Sequence, residues 1–99
     1  MTSSDHGVYA ISVAASMVSM EIQNLRVYER RGLLTPDRTT GGTRLYSVDD
    51  VERLERIRDL LAEGLNLAGV AMVLELEDEV AELRSRLDEP DDQDERGSA

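Results

Sequence analysis

The sequence predicts a mainly α-helical fold, a winged helix-turn-helix with a small β-hairpin wing and a C-terminal dimerisation helix. Three observations carry that expectation. Two short helical segments flank a tight turn near the N-terminus, a Gly-Gly dipeptide sits between two β-prone arms, and the second half repeats apolar residues at helical spacing. The expected organisation is a flexible leader over 1–7, the winged domain over 8–64, a helical dimerisation segment over 65–87, and a disordered acidic tail over 88–99. No internal repeat is evident.

Val8-Tyr9-Ala10-Ile11 is a β-prone run too short to stand alone. Ser12 stands where an N-cap belongs, ahead of Val13-Ala14-Ala15-Ser16-Met17-Val18, and Ser19-Met20 is the expected turn. The second helix is predicted over Glu21–Arg31, with Glu21 in its first turn to suit the helix dipole and Gly32 at the position that ends it. Leu33-Leu34 is apolar, and Pro36 prevents the helix from resuming. Residues 38–46 read as a hairpin turning at Gly41-Gly42, where glycine supplies positive φ. Ser47-Val48-Asp49-Asp50 resembles a capping box that starts a third helix, whose apolar stripe is Val51, Leu54, Ile57, Leu60 and Leu61. Gly64 ends it. Asn66 caps a fourth helix whose early inner face is Leu67, Val70, Val73 and Leu74.

From Val73 onward the spacing changes. Val73, Leu76, Val80, Leu83 and Leu87 alternate steps of three and four, the a/d seam of a paired helix, although it covers only about two heptads. Glu82 and Arg86 form an i,i+4 pair beside it. Pro90 stops the helix, and the remaining residues lack any apolar anchor.

A chain of 99 residues is one domain's worth. Its aromatic residues are limited to Tyr9, Tyr28 and Tyr46, so an isolated copy should be marginally stable, and burial against a second copy would help. Without cysteine there is no disulfide and no thiolate metal or redox site. The single histidine, His6, lies in the leader, so no metal site and no cofactor are expected. No paired carboxylates face a plausible cleft, and catalytic residues are not expected either. No apolar run approaches the roughly 20 residues of a membrane span, and the N-terminus lacks the basic and apolar parts of a signal peptide. The expected compartment is the cytoplasm.

The net charge of −10 argues against a nucleic-acid partner. Its distribution argues the other way. Residues 75–99 hold eleven acids against Arg84, Arg86 and Arg96, whereas residues 26–44 hold Arg26, Arg30, Arg31, Arg38 and Arg44 against only Glu29 and Asp37. Association follows local potential rather than the whole-chain sum. Every basic side chain is arginine, which suits planar contacts to phosphate or guanine, though biased genome composition would explain it equally.

Within the second helix, at roughly 100° per residue, Ile22, Leu25, Tyr28 and Glu29 fall on one side and Gln23, Arg26, Val27 and Arg30 on the other. The second set can read a major groove: arginine bridges guanine O6 and N7, glutamine bridges adenine N6 and N7, and valine touches a thymine methyl. An ordinary surface helix also presents a polar stripe with arginines. The distinguishing feature is the hairpin immediately downstream, which adds Arg38 and Arg44 at wing spacing.

Asn24-Leu25-Arg26-Val27-Tyr28-Glu29-Arg30-Arg31-Gly32-Leu33-Leu34 resembles the signature of the MerR family, in which an arginine and a Tyr-Glu pair precede Gly-Leu at the end of the recognition helix. Thr43-Arg44-Leu45-Tyr46-Ser47, followed by Asp50-Val51, resembles that family's wing and third helix. Val8–Ala15, Gly41-Gly42-Thr43-Arg44, Asn66–Val70 and Leu74–Glu77 are similar to its actinobacterial heat-shock repressor branch. The likeness spans residues 8–87, and several blocks in order are more specific than any one of them.

The resemblance implies a DNA-binding regulator that represses from an inverted repeat in double-stranded DNA as a homodimer, without a membrane partner. It implies a DNA-binding set of Ser12, Gln23, Asn24, Arg26, Val27, Tyr28, Arg30, Arg38, Thr43, Arg44 and Tyr46. Arg26 would contact base edges or phosphate, and the Tyr28 hydroxyl would reach backbone phosphate. Arg44 and Tyr46, with Arg38, would anchor the wing. Ser12 would meet a phosphate at the start of the first helix. Core packing is the other reading for Tyr28 and Tyr46. Glu29, on the inward side, is expected to pair with an arginine.

Three positions depart from the family pattern: Ser19 where glycine is usual in the turn, Asn24 for threonine, and Glu21 where a phosphate-friendly residue is common. In the family the helix equivalent to the 73–87 seam pairs antiparallel with its mate, and the heat-shock branch uses a chaperone as co-repressor. A protein co-regulator is therefore an expected partner. A competing reading, motivated by the net charge and Glu21, is a protein-interaction module that keeps the fold as an anti-repressor or hetero-dimer partner.

Overall fold

A computed structural model of the chain describes residues 4–88. In order it comprises α1 (Ile11–Met17), α2 (Ile22–Arg30), β1 (Asp37–Arg38), β2 (Arg44–Leu45), α3 (Val48–Ala62) and α4 (Leu67–Asp88). The predicted order of elements is thus present.

The first three helices end in the same way. In each, the amide beyond the C-cap turns back to the last carbonyls: Met20 to Ala15 (2.9 Å) and Ser19 to Ser16 (3.2 Å), Leu33 to Tyr28 (2.9 Å) and Gly32 to Glu29 (2.9 Å), Leu65 to Leu60 (3.2 Å) and Gly64 to Leu61 (3.0 Å). That closure puts one residue in the left-handed region. Gly32 takes it at φ 77° without a Cβ penalty, but after α1 it falls to Ser19 at φ 56°. The departure from glycine at Ser19 therefore places a side chain in a strained backbone conformation.

Several local expectations need correction. Ser12 is not the N-cap of α1. Ala10 holds that position without a side-chain cap, its carbonyl accepts from Ala14 N–H at 2.9 Å, and Ser12 lies exposed inside the first turn. The run Val8–Ile11 is not a strand. Only Tyr9 bridges to Tyr46, after which Ile11 enters α1. Glu21 is the N-cap of α2 rather than part of its first turn, and its side chain makes no cap bond. By contrast, Ser47 and Asp50 form the full reciprocal box at 2.9 and 3.0 Å. Asn66 Oδ1 caps α4 by accepting from Gly69 N–H at 2.9 Å.

The hairpin pairs Asp37 with Leu45 and Arg38 with Arg44. Its turn is not centred on the Gly41-Gly42 dipeptide. Thr39 N–H bonds Thr43 O and Gly42 N–H bonds Thr39 O, both at 2.9 Å, and only Gly42 is left-handed, at φ 89°. This is a three-residue loop, Thr40 to Gly42, in which one glycine provides the reversal. Thr43 N–H adds a bond to Thr39 Oγ1 at 3.1 Å.

The leader, expected to be flexible, is docked from Ser4 onward. Ser4 O accepts from Asp49 N–H at 3.0 Å, Gly7 N–H donates to Asp37 Oδ2 at 2.8 Å, and Val8 and Tyr9 N–H both reach Tyr46 O. Local sequence shows none of this, because the partners lie 30 and more residues away.

The core gathers Ala14, Val18, Leu25, Leu54, Ile57, Val70 and Tyr46, all fully enclosed, around the α1–α2 corner and the inner face of α3. Three arginines of α3 bind the surrounding elements to it. Arg58 Nη1 donates to Val18 O (3.0 Å), Arg53 Nε donates to Leu33 O, and Arg56 Nη2 meets Glu77 at 2.7 Å. Arg53 also pairs with Asp78 at 3.0 Å. Helix α4 is one uninterrupted rod of 22 residues, about 33 Å long. Its first half is anchored, by the buried Val70 and Leu74 and by the ion pairs of Glu77 and Asp78. The expected tail starts at Asp88, which here still belongs to α4; residues 89–99 and the Pro90 stop lie outside the described residues.

Candidate nucleic-acid interface

Helix α2 is divided as its periodicity predicts. Leu25 is fully enclosed and Tyr28 nearly so, at 6% exposure, while Ile22 and Glu29 are half-buried. On the opposite side Gln23, Asn24, Arg26 and Arg30 are exposed and Val27 is half-buried, so the predicted groove-reading set shares one open face. Among the described residues, no ion pair or side-chain hydrogen bond engages Arg26, Arg30 or Arg31.

The wing arginines are different. Glu29 reaches from α2 to both of them: Arg38 Nη2 meets Oε2 at 2.6 Å, and Arg44 Nε donates to Oε1. Arg38 Nη1 also donates to Gly42 O at 3.0 Å, closing the wing tip on itself. Partial burial acts to raise the Glu29 carboxyl, but the hydrogen bond and charge of Arg44, with those of Arg38, outweigh it and hold the group below its ordinary 4.5. Reciprocally, the Glu29 hydrogen bond raises the Arg44 guanidinium. One carboxylate between two guanidiniums leaves the cluster positive and fixes its distance from α2. The expected ion-pair role of Glu29 is present with two partners rather than one.

Thr43 is exposed near the wing tip. Tyr46 departs from the predicted set. Tyr46 is fully enclosed, and its hydroxyl is buried without a hydrogen-bond partner among the described residues. It cannot touch a duplex in this conformation, because its side chain is sealed within the hydrophobic core. Burial raises its phenol above the ordinary range, with Glu29 adding to the effect. Tyr28 sits in the same core, and burial raises its phenol too. For Tyr46, core packing is the better description. Of the remaining members of the predicted set, Ser12 is exposed on α1, apart from any cap.

Residues that sequence reasoning missed are the ones that hold the site in place: Gly7, Asp37, Arg53, Arg56 and Arg58. For Arg53 and Arg56, spaced three apart on α3, and the acidic Glu77-Asp78, the complementary charge was a usable signal. Gly7 and Asp37 offered none.

The α4 seam carries the other open surface. Leu76, Val80, Leu83 and Leu87 are 45–84% exposed, while Val73 is half-buried against the core. Among the described residues no group of three or more His, Asp or Glu could hold a metal ion, and no helix is long and apolar enough to cross a membrane.

Residues 9–77 match the MerR HTH family of regulatory proteins. The chain is 49% identical over 83 residues to the heat shock protein HspR of Streptomyces coelicolor, covering 83% of this chain and 55% of that one. It is 39% identical over 67 residues to the HTH-type transcriptional regulator GlnR of Bacillus cereus, covering 68% and 52%. The chain thus spans about half the length of these curated relatives. Among solved structures, the N-terminal part of MtaN, the Bacillus subtilis multidrug transporter activator, superposes with a TM-score of 0.62 at 26% identity, over 82% of this chain and 89% of that one.

Proposed function

The chain belongs to the MerR HTH family, and on that premise we propose that it is a DNA-binding transcriptional regulator, acting as a repressor on an inverted repeat and bound as a homodimer. One observation carries the reading: Arg26 and Arg30 stand exposed and free of ion pairs among the described residues, on the α2 face that also bears Gln23 and Val27. That face has the donor geometry a major groove requires. Asn24 at its edge donates to backbone phosphate, and the wing adds Arg38, Thr43 and Arg44 at the flanking backbone. Arginine held by Glu29 can exchange that carboxylate for a phosphate, since each offers two anionic oxygens that the guanidinium fork can meet bidentately.

The dimer uses α4. Val73, Leu76, Val80, Leu83 and Leu87 form the seam, and within it Glu75, Glu77 and Glu79 precede Val80 while Arg84 and Arg86 follow. Antiparallel pairing about Val80 sets the acids of one copy against the arginines of the other; parallel pairing opposes like charges. One copy covers only a few base pairs, and two copies related by a two-fold axis read an inverted repeat. The heat-shock name of the Streptomyces relative supports targets in the heat-shock response. A cytoplasmic location and a protein co-regulator of the chaperone type complete the reading.

The test is to sequence the genomic DNA that co-purifies with the protein, and to measure its mass in solution by sedimentation. Enrichment of an inverted repeat bound by a dimer is the expected result; no enriched sequence, with no duplex binding at low salt, sinks the reading. A second reading has one observation in its favour, the engagement of both wing arginines by Glu29 in a molecule of net charge −10. It is a protein-interaction module, and a stoichiometric protein partner recovered without any DNA footprint would establish it.

A further inference from the structure

A hairpin of two residues per strand cannot hold its own orientation in water. Something outside must place it. Glu29 grips the wing from the α2 side through Arg38 and Arg44. On the other side lies the N-terminal leader. Gly7 is buried against the first rung of the hairpin, the pair Asp37 and Leu45. Its N–H bonds the Asp37 carboxylate at 2.8 Å. A Cβ at Gly7 would stand 2.5 Å from Leu45 O and 2.9 Å from both the Asp37 and Leu45 Cβ atoms. Gly7 does not have positive φ, so alanine would suit its backbone and only the close approach forbids it. The leader is fastened at both ends of this contact. Ser4 O takes Asp49 N–H, one of the free amides in the first turn of α3, and Val8 and Tyr9 hold Tyr46 O.

We propose that residues 4–9 form a strap that positions the wing for a duplex, with Gly7 as the positioning residue. The strap contacts β1 through Asp37, while the next residue, Arg38, points to Glu29; consecutive strand residues face opposite ways, so the two grips clamp β1 from both faces. The strap needs no contact with DNA. It acts through Arg38 and Arg44, by preventing the hairpin from swinging off α2. This inference rests on the DNA-binding reading above.

The experiment measures binding of the full chain to sheared genomic duplex DNA across a salt series, for the parent, Gly7→Ala, Arg38→Ala/Arg44→Ala, and the triple variant. Gly7→Ala should weaken binding about tenfold and reduce the log–log salt slope by up to about 1.8, the equivalent of two phosphate contacts. Adding Gly7→Ala to the double arginine variant should change nothing further, because its effect runs through those side chains. A parental affinity and slope for Gly7→Ala, or an equal additional loss in the triple variant, overturns the strap. If Gly7→Ala fails to fold, a chain lacking residues 1–8 makes the same test without a clash: loss of the slope supports the strap and a parental slope overturns it. A parent that binds no duplex at low salt overturns the DNA-binding reading itself, which is a distinct outcome.

Discussion

Helix α2 and the wing both carry exposed or half-exposed arginine, yet they are positioned by opposite physics. The helix is set by apolar burial: Leu25 and Tyr28 lock its inner face, which leaves Arg26 and Arg30 with no structural duty. The wing has almost no apolar anchor of its own, its strand residues being exposed or half-buried. It is held by charge and hydrogen bonds, so its arginines are committed to Glu29 before any ligand arrives. A rigid hydrophobic footing leaves functional charge free, whereas a polar footing uses part of it.

The largest expected break in this contrast is Leu25→Ala, which empties a fully enclosed site beneath α2. It should lower stability by about 2–5 kcal/mol, enough to unfold a marginal domain, as read by chemical denaturation. Next is Arg26→Ala, which leaves the melting temperature unchanged but weakens specific DNA binding by about 1–3 kcal/mol if the guanidinium reads guanine. Equal loss on every duplex sequence would reassign Arg26 to a phosphate. Tyr46→Phe removes a buried hydroxyl without a partner among the described residues. Stability should rise by about 1 kcal/mol, given the desolvation cost of an unpaired group; a clear fall would show that the hydroxyl is bonded.

Glu29 tests the polar footing by pH. Its carboxyl is held low in the folded chain, so its contribution is present above its ordinary value of 4.5 and is lost as pH falls through the folded value. The melting temperature of Glu29→Gln should therefore lie below the parent's at pH 7, and the gap should close on acidification. A gap that stays constant to pH 3 would contradict the assignment. The smallest effect belongs to Ser19→Gly at the turn between α1 and α2. Relieving a left-handed serine should stabilise by about 0.5–1 kcal/mol, which corresponds to a rise of several degrees in a domain of this size.

Legibility followed the range of the interactions. The ends of α2 and α3 at Gly32 and Gly64, the box at Ser47–Asp50 and the Asn66 cap depend on neighbours three to five residues apart, and all four are where the sequence predicts them. The two faces of α2 follow from helical period alone. Misreadings arose where distant partners decided. Ser12 has the right chemistry for a cap, but the start of α1 is set by the Tyr9–Tyr46 bridge just before it. The aromatic signature at Tyr46 suggested contact with a ligand, yet its ring and hydroxyl are enclosed in a core poor in large side chains. The polar leader looked unattached because its partners, Asp37, Tyr46 and Asp49, are remote in sequence.

By itself, the amino-acid order determined the helices, their stops, the hairpin and the clustering of arginine between positions 26 and 44, since each is a consequence of local sterics, capping or periodicity. Only the tertiary structure decided which of those arginines are free and how the wing is held. Pairing of Arg38 and Arg44 with Glu29, and the seating of Gly7 on Asp37 and Leu45, depend on distances in space. Coulomb attraction and steric contact act across folded separations of a few ångströms, which separation along the chain does not encode.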